Sequence, residues 1–262
     1  RFTIEQSGIC SAESFEIDRR TSRGGITAYE WDFDGTTDNR SDGVFSYSFE
    51  NTASPVPLSR PITLTVSNAQ GCDSSITRTI SVYPEVRADF TLDDYTVCFP
   101  WPTVFTNNTE NADNFNWDYG DGTGSNDEDP DAHIFNNFDV VSDTNFTIRL
   151  ITRSIYNCYD SAMQSVTVYA KPDAEFYFPV MVDCPPFVAE MVNESDGNSL
   201  NYFWEFGDGY TSTAENPSHL FENNTSGISD VPVRLIVTSQ RTCRDTAEHT
   251  LSIYPNVAVS FT

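Results

Sequence analysis

Lysine occurs once in this chain, at Lys171, and basic residues number 14 against 39 acidic ones, for a formal charge of −25 over 262 residues. A surface this acidic repels phosphate backbones and anionic lipid, which excludes nucleic acid as a partner and a basic membrane-docking face. No apolar run approaches the roughly eighteen residues that a membrane-crossing helix needs. A basic segment followed by an apolar one, the mark of a secretory leader, is missing at the start. Histidine is scarce, at three residues, and no two cysteines stand as a CxxC pair. The catalytic fingerprints with a known mechanism are likewise missing: no Gly-x-Ser-x-Gly elbow, no His-Glu-x-x-His helix, no P-loop and no dinucleotide-binding glycines. Acids abound, but nothing singles out one pair for glycoside hydrolysis. The chain reads as non-catalytic.

What is present is aromatic and repetitive. Aromatic residues make up 13 % of the chain, too many for a disordered acidic tail. Trp31, Trp117 and Trp204 stand 86 and 87 apart, Cys10, Cys98 and Cys184 stand 88 and 86 apart, and Cys72, Cys158 and Cys243 stand 86 and 85 apart. Phe2, Phe90 and Phe176, each eight residues before a cysteine, keep the same register, as do Tyr83, Tyr169 and Tyr254. The chain is one unit written three times. The spacing gives repeats over residues 1–84, 85–170 and 171–256, with 257–262 as the start of a following copy. Both ends alternate like strands, so we expect an excerpt of a longer protein.

Each copy reads as all-β. Ile62, Leu64 and Val66, then Ile148 and Leu150, then Val233, Leu235 and Val237 alternate with polar neighbours at the two-residue period of a half-buried strand. Turn-like stretches ending at Cys72, Cys158 and Cys243 lead into a second alternating strand that closes at Tyr83, Tyr169 and Tyr254. Several short strands per copy around one buried tryptophan predict an immunoglobulin-like two-sheet sandwich. The links Pro84-Glu-Val-Arg87, Ala170-Lys-Pro-Asp173 and Pro255-Asn-Val-Ala258 each carry a proline and lack flexible Gly/Ser tracts, which predicts a semi-rigid rod.

With two cysteines per copy, the repeat predicts disulfides Cys10–Cys72, Cys98–Cys158 and Cys184–Cys243. Each would close a loop of about sixty residues and stabilise a small domain by about 4 kcal/mol in the chain-entropy model. The alternative, zinc, lacks its ligand spacing. Disulfides place the chain in an oxidising compartment, outside the cell or on its surface.

Trp117-Asp-Tyr-Gly-Asp-Gly122 and Trp204-Glu-Phe-Gly-Asp-Gly209, followed by Pro130-Asp-Ala-His-Ile-Phe135 and Pro217-Ser-His-Leu-Phe221, resemble the signature of the polycystic kidney disease (PKD) repeat. The first copy departs from it: Trp31-Asp-Phe-Asp-Gly35 is one turn residue short, and Tyr47 replaces the histidine, so its turn is expected to differ in shape. The resemblance covers essentially the whole chain. It implies an immunoglobulin-like sandwich used as spacer or adhesive module on cell-surface and secreted proteins. With the cysteine pair added, it is similar to repeats of large Bacteroidota surface adhesins tied to gliding motility and type IX secretion. The implied role is a structural or adhesive stalk; an accessory carbohydrate- or protein-binding module of a secreted hydrolase is the alternative. Partners would be other domains of the same chain and a protein or polysaccharide ligand, with no insertion into membrane.

Remaining candidates have modest readings. Asp121 and Asp208 are expected to accept backbone hydrogen bonds in the Gly-Asp-Gly turn. No cofactor is expected unless calcium binds, for which Asp121, Asp127, Asp129 and Asp131 offer hard oxygen ligands, although Pro130 interrupts the run. The three tryptophans read as core rather than as a sugar-binding face, and His133 and His219 as packing residues. Under the Bacteroidota resemblance, Asp160-Ser161-Ala162 and Asp245-Thr246-Ala247 fit that group's O-glycosylation pattern, with Ser161 and Thr246 exposed on a loop. Asparagine sequons also begin at Asn39, Asn107, Asn145, Asn193, Asn223 and Asn224.

Overall fold

The computed structural model describes residues 1–19 and 25–256, and residues 257–262, read above as the start of a further copy, lie outside the described residues. Among the described residues every regular element is a β-strand. No helix among them is long and apolar enough to cross a membrane.

The first repeat contains β1 (Thr3–Ile4), β2 (Gly8–Cys10), β3 (Ser14–Asp18), β4 (Ile26–Phe33), β5 (Thr36–Asp38), β6 (Val44–Ser48), β7 (Leu58–Asn68) and β8 (Asp73–Tyr83). The second has β9 (Phe90–Leu92), β10 (Thr96–Cys98), β11 (Phe105–Asn107), β12 (Asn114–Asp118), β13 (Gly124–Ser125), β14 (Thr144–Arg153) and β15 (Tyr159–Tyr169). The third has β16 (Phe176–Tyr177), β17 (Val182–Asp183), β18 (Phe187–Glu190), β19 (Val192–Asn193), β20 (Asn201–Glu205), β21 (Thr211–Ser212), β22 (Ser218–Phe221), β23 (Ser229–Thr238) and β24 (Arg244–Ile253).

One sheet order recurs: β2-β8-β7-β4-β5, β10-β15-β14-β12-β13 and β17-β24-β23-β20-β21. In each, the short first strand runs parallel to the last strand, with Cys10 opposite Tyr83, Cys98 opposite Tyr169 and Asp183 opposite Ile253. The remaining strands of the first repeat form the sheet β1-β3-β6, and those of the third form the pairs β16-β19 and β18-β22. These are immunoglobulin-like β-sandwiches in tandem.

The alternation in the sequence explains the core. In β7 and β8, Ile62, Leu64, Ile80 and Val82 are buried while their neighbours reach solvent or the sheet edge. Together with Phe2, Phe15, Phe33 and Trp31 they fill the first repeat's core. The third is filled in the same way by Trp204, Phe176, Phe221, Leu235 and Leu251. The repeated tryptophans Trp31, Trp117 and Trp204 are buried, and each meets the first phenylalanine of its repeat edge-on, at 5.1 Å from Phe2, 5.0 Å from Phe90 and 4.9 Å from Phe176.

The described residues divide into two compact units. One comprises Arg1–Thr91, Phe105–Pro130 and Ile148–Gln164; the other comprises Leu92–Val104, Asp131–Thr147 and Ser165–Thr262, the last few of which are not described. The second repeat contributes segments to both.

Candidate functional site: the junctions between repeats

The cysteines pair otherwise than the spacing predicts. Cys10 is bonded to Cys158 and Cys98 to Cys243, while Cys72 and Cys184 are free and exposed. The expectation of Cys10–Cys72, Cys98–Cys158 and Cys184–Cys243 is therefore corrected: the first cysteine of one repeat is joined to the second cysteine of the next. The reason is strand length. Cys10 lies beside Tyr83, at the end of β8, whereas Cys72 immediately precedes its start. Eleven residues of extended strand separate those ends by about 35 Å, and a disulfide needs Cα atoms about 4.4–6.8 Å apart. The observed pairs meet that limit, at 5.6 and 5.5 Å.

Each junction is built around its disulfide from matching parts. The first lies within the first unit. There the hairpin tip at residues 154–158 folds on itself, with Ser154 N–H donating to the Cys158 carbonyl and Asn157 taking a positive φ of 72°. Tyr156 on that tip stacks flat on Tyr83, with ring centroids 4.4 Å apart. Gly8 leaves room for Tyr83, since a Cβ there would stand 2.4 Å from its hydroxyl. The second junction lies within the second unit, where the tip at residues 239–243 repeats the hydrogen bonds and has Thr242 at a φ of 66°. Arg241 takes the place of Tyr156, its guanidinium 5.0 Å over the Tyr169 ring and 3.6 Å from the Asp143 carboxylate.

The links are tied down on both sides. Arg87 and Asp173 form bridges with Glu110 and Asp196, and Asn111 Nδ2 donates to the Glu85 carbonyl. Two carboxylates just past the bridging cysteines receive link N–H groups: Ala88 donates to Asp160 and Ala174 to Asp245, at 3.0 and 2.9 Å. Asp245 also meets the Lys171 ammonium at 2.5 Å. Burial pushes the Asp245 carboxyl up, but the Ala174 N–H and Lys171 outweigh it and hold it below the usual carboxylate range.

The other sequence candidates divide. Asp121 and Asp208 do accept backbone hydrogen bonds in their turns, from Thr123 and Tyr210. Asp208 is in addition 2.7 Å from His219 Nε2, and the His219 ring stacks on Phe206 at 4.3 Å. His133 forms a backbone bridge with Thr103 and meets Phe135 edge-on. The proposed calcium ligands Asp121, Asp127, Asp129 and Asp131 are not gathered into a set, and no cluster of three or more His, Cys, Asp or Glu side chains suited to a metal occurs among the described residues. Asp121 is taken by Thr123 and Asp127 by Ser125, each within its own turn. Ser161 and Thr246 are exposed, but on β15 and β24 rather than on a loop.

One recurrent device escaped the sequence reading. Asn51, Asn137 and Asn223 are buried, and each amide donates twice to carbonyls, one of them on the last strand or at its end: Val82, Val168 and Ile253. Their spacing of 86 was there to be found. Asn223, which heads a sequon, has both amide hydrogens engaged and is 2 % exposed, closed to glycan attachment in the folded chain.

Solved structures similar to parts of the chain include the PKD1 domain of Vibrio anguillarum Epp, at 22% identity over 33% of this chain and 96% of that one, with a TM-score of 0.28. The PKD1 domain of the Vibrio cholerae metalloprotease PrtV is 29% identical over 32% of this chain and 98% of its own, with a TM-score of 0.27. The eight N-terminal Ig domains of Down Syndrome Cell Adhesion Molecule overlap 98% of this chain and 36% of theirs at 11% identity and a TM-score of 0.49. PKD domains occur as extracellular modules, in adhesive proteins and beside proteases, and are typically without catalysis of their own. Residues 170–253, the third of three repeats that share one sheet order, match the family model described as PKD domain.

Proposed function

We propose that this chain is a non-catalytic structural or adhesive stalk segment of a cell-surface or secreted protein, made of three sandwich domains over residues 1–84, 85–170 and 171–256. The observation that carries the reading is the pair of disulfides that couple successive repeats, Cys10–Cys158 and Cys98–Cys243. A covalent bridge at each junction, added to link N–H groups held by Asp160 and Asp245, restrains one repeat against the next. That restraint serves a segment whose task is to hold other parts at a fixed separation, and it does nothing for a reaction. The residues that recur at fixed register (the tryptophans, the buried asparagines, the turn aspartates) are spent on packing and backbone hydrogen bonds.

Co-sedimentation of the oxidised chain with cellulose, chitin and xylan tests the reading against that of a hydrolase accessory module. A stalk leaves the chain in the supernatant at every polysaccharide concentration. Saturable retention, competed by soluble oligosaccharide, would overturn the stalk in favour of the accessory module.

A further inference from the structure

The residues that recur from repeat to repeat are buried or serve turns, so large apolar side chains that do not recur and yet face solvent stand apart. Of the four tryptophans only Trp101 is exposed, at 58%, while Trp31, Trp117 and Trp204 lie in the cores. Trp101 belongs to the second unit, in the loop that follows Cys98. Phe99 of the same loop meets Phe138 edge-on at 5.3 Å, and Phe138 is 79% exposed. The pairing of Phe15 with Tyr47, Thr103 with His133 and Ala189 with His219 sets the three repeats in one register here. In that register Phe99, Trp101 and Phe138 correspond to Ser11, Glu13 and Thr52 in the first repeat. In the third they correspond to Pro185, Phe187 and Asn224, and Phe187 is buried. The second repeat alone sets rings at all three positions. Pro100 and Pro102 stiffen the backbone on either side of Trp101. The loop is pinned where Thr103 N–H donates to the His133 carbonyl at 2.8 Å and Val104 N–H to Asp93 at 2.9 Å. Aromatic rings held out to solvent by a stiff loop mark an interaction site.

Charge identifies the occupant. The segments of the second unit that carry these rings, residues 92–104 and 131–147, hold five aspartates and no lysine or arginine. Asp139, next to Phe138, accepts the Val141 and Ser142 N–H groups, which hold its carboxyl below the usual carboxylate range. A negative charge therefore stands beside the exposed ring at neutral pH. The same unit shows what a ring beside a carboxylate takes: the Arg241 guanidinium lies 5.0 Å over Tyr169 and 3.6 Å from Asp143. A guanidinium is flat, stacks on aromatic faces and is less strongly hydrated than an ammonium. We propose that Phe99, Trp101 and Phe138 form a docking surface for an arginine-bearing peptide segment of a partner protein, with the guanidinium laid on the rings and its charge met by Asp139. The acidic surroundings draw such a segment in and turn an acidic one away. The inference goes beyond the stalk role and does not depend on it.

The test titrates the whole oxidised chain with a short peptide of alternating glycine and arginine, and with the same peptide carrying neutral citrulline in place of arginine. Trp101 is the one solvent-facing indole, so its emission reports contact, and calorimetry gives the affinity of each variant. The arginine peptide should shift the emission saturably, and the citrulline peptide should bind several-fold more weakly. Trp101→Ser and Phe138→Ser should each weaken the arginine peptide by about fivefold, and Asp139→Asn by about threefold with a shallower salt dependence. Both rings are exposed, so the emission of the core tryptophans certifies that these variants fold. Tyr159→Ser removes an exposed ring outside the surface and should leave the affinity unchanged. Affinities for the arginine peptide that are equal in wild type, Trp101→Ser and Phe138→Ser would assign binding to overall acidity and overturn the proposal. Equal binding of the citrulline peptide would overturn it too, as would no binding of either. An emission shift with cellohexaose but none with the arginine peptide would give the surface to polysaccharide instead.

Discussion

The hairpin after the buried tryptophan is built differently in the first and third repeats. In the third, Gly207 and Gly209 take positive φ values of 77° and 99°, Asp208 accepts from the Tyr210 N–H, and its other oxygen meets His219, which lies flat on Phe206. In the first, a two-residue turn suffices: Asp34 and Gly35 both take positive φ, and Phe33 pairs with Thr36. Tyr47 lies flat on Phe33 at 3.8 Å, as His219 does on Phe206. The two departures of the first repeat from the PKD signature thus have one cause. The shorter turn lacks the glycine before its aspartate, and the Asp34 carboxylate meets the Arg60 guanidinium at 2.6 Å; a histidine at the stacking position would have no carboxylate to bond, and an aromatic ring without that polar duty takes its place. The tryptophans differ too. Trp204 Nε1 donates to the Ala214 carbonyl at 2.9 Å, while Trp31 Nε1 has no hydrogen-bond partner among the described residues.

Substitutions can break this comparison, and the largest effect is expected at the glycines. Gly35→Ala puts a Cβ into open space and costs the left-handed penalty alone, about 1–2 kcal/mol. Gly207→Ala adds a clash, because its Cβ would stand 2.4 Å from the Pro232 carbonyl oxygen and 2.8 Å from Val231, so about 2–4 kcal/mol is expected. Hydrogen exchange read peptide by peptide over each repeat checks both, and equal losses would dissolve the distinction between the turns. Next comes the indole. Trp204→Phe leaves the Ala214 carbonyl without its donor and should cost about 1–2 kcal/mol more than Trp31→Phe, by urea denaturation of the whole chain.

The smallest effect sharpens the comparison at the links. Because the folded-state Asp245 carboxyl is held below its ordinary value, its contribution to stability is complete at neutral pH and is lost as the pH falls below about 4. The third repeat should therefore shed roughly 0.5 kcal/mol more between pH 5 and pH 2 than the Asp245→Asn variant, a modest amount for a partly exposed ion pair. Melting curves across that range that run parallel for the two proteins would contradict it.

Much of this was written openly in the sequence. Alternation placed the paired strands because burial on one sheet face enforces a two-residue period, as Leu64 and Leu235 show. Tryptophans at constant register are core, and Asp121 and Asp208 serve their turns. The disulfide pairing was not open in this way. A constant period relates Cys10 equally well to Cys72 and to Cys158, and only the parallel register of β2 on β8 decides between them. Asp160 and Asp245 stand in a modification pattern by sequence, yet their carboxylates take link N–H groups from residues more than seventy positions away. Asn51, Asn137 and Asn223 look like any polar surface residues until the carbonyls they satisfy are in view.

The bridges Cys10–Cys158 and Cys98–Cys243 overlap along the chain, each beginning before the other has closed. Tension applied to the two ends therefore follows an unusual route: forward to Cys10, across to Cys158, backward along the polypeptide to Cys98, across to Cys243, and out. The middle copy is tugged against its own direction of synthesis. Were every sandwich to yield, the taut path would hold only about 90 residues and reach about 300 Å, against about 900 Å for all 262 once both bonds are cut. The interlaced bonds work as a leash, whose length a reductant sets.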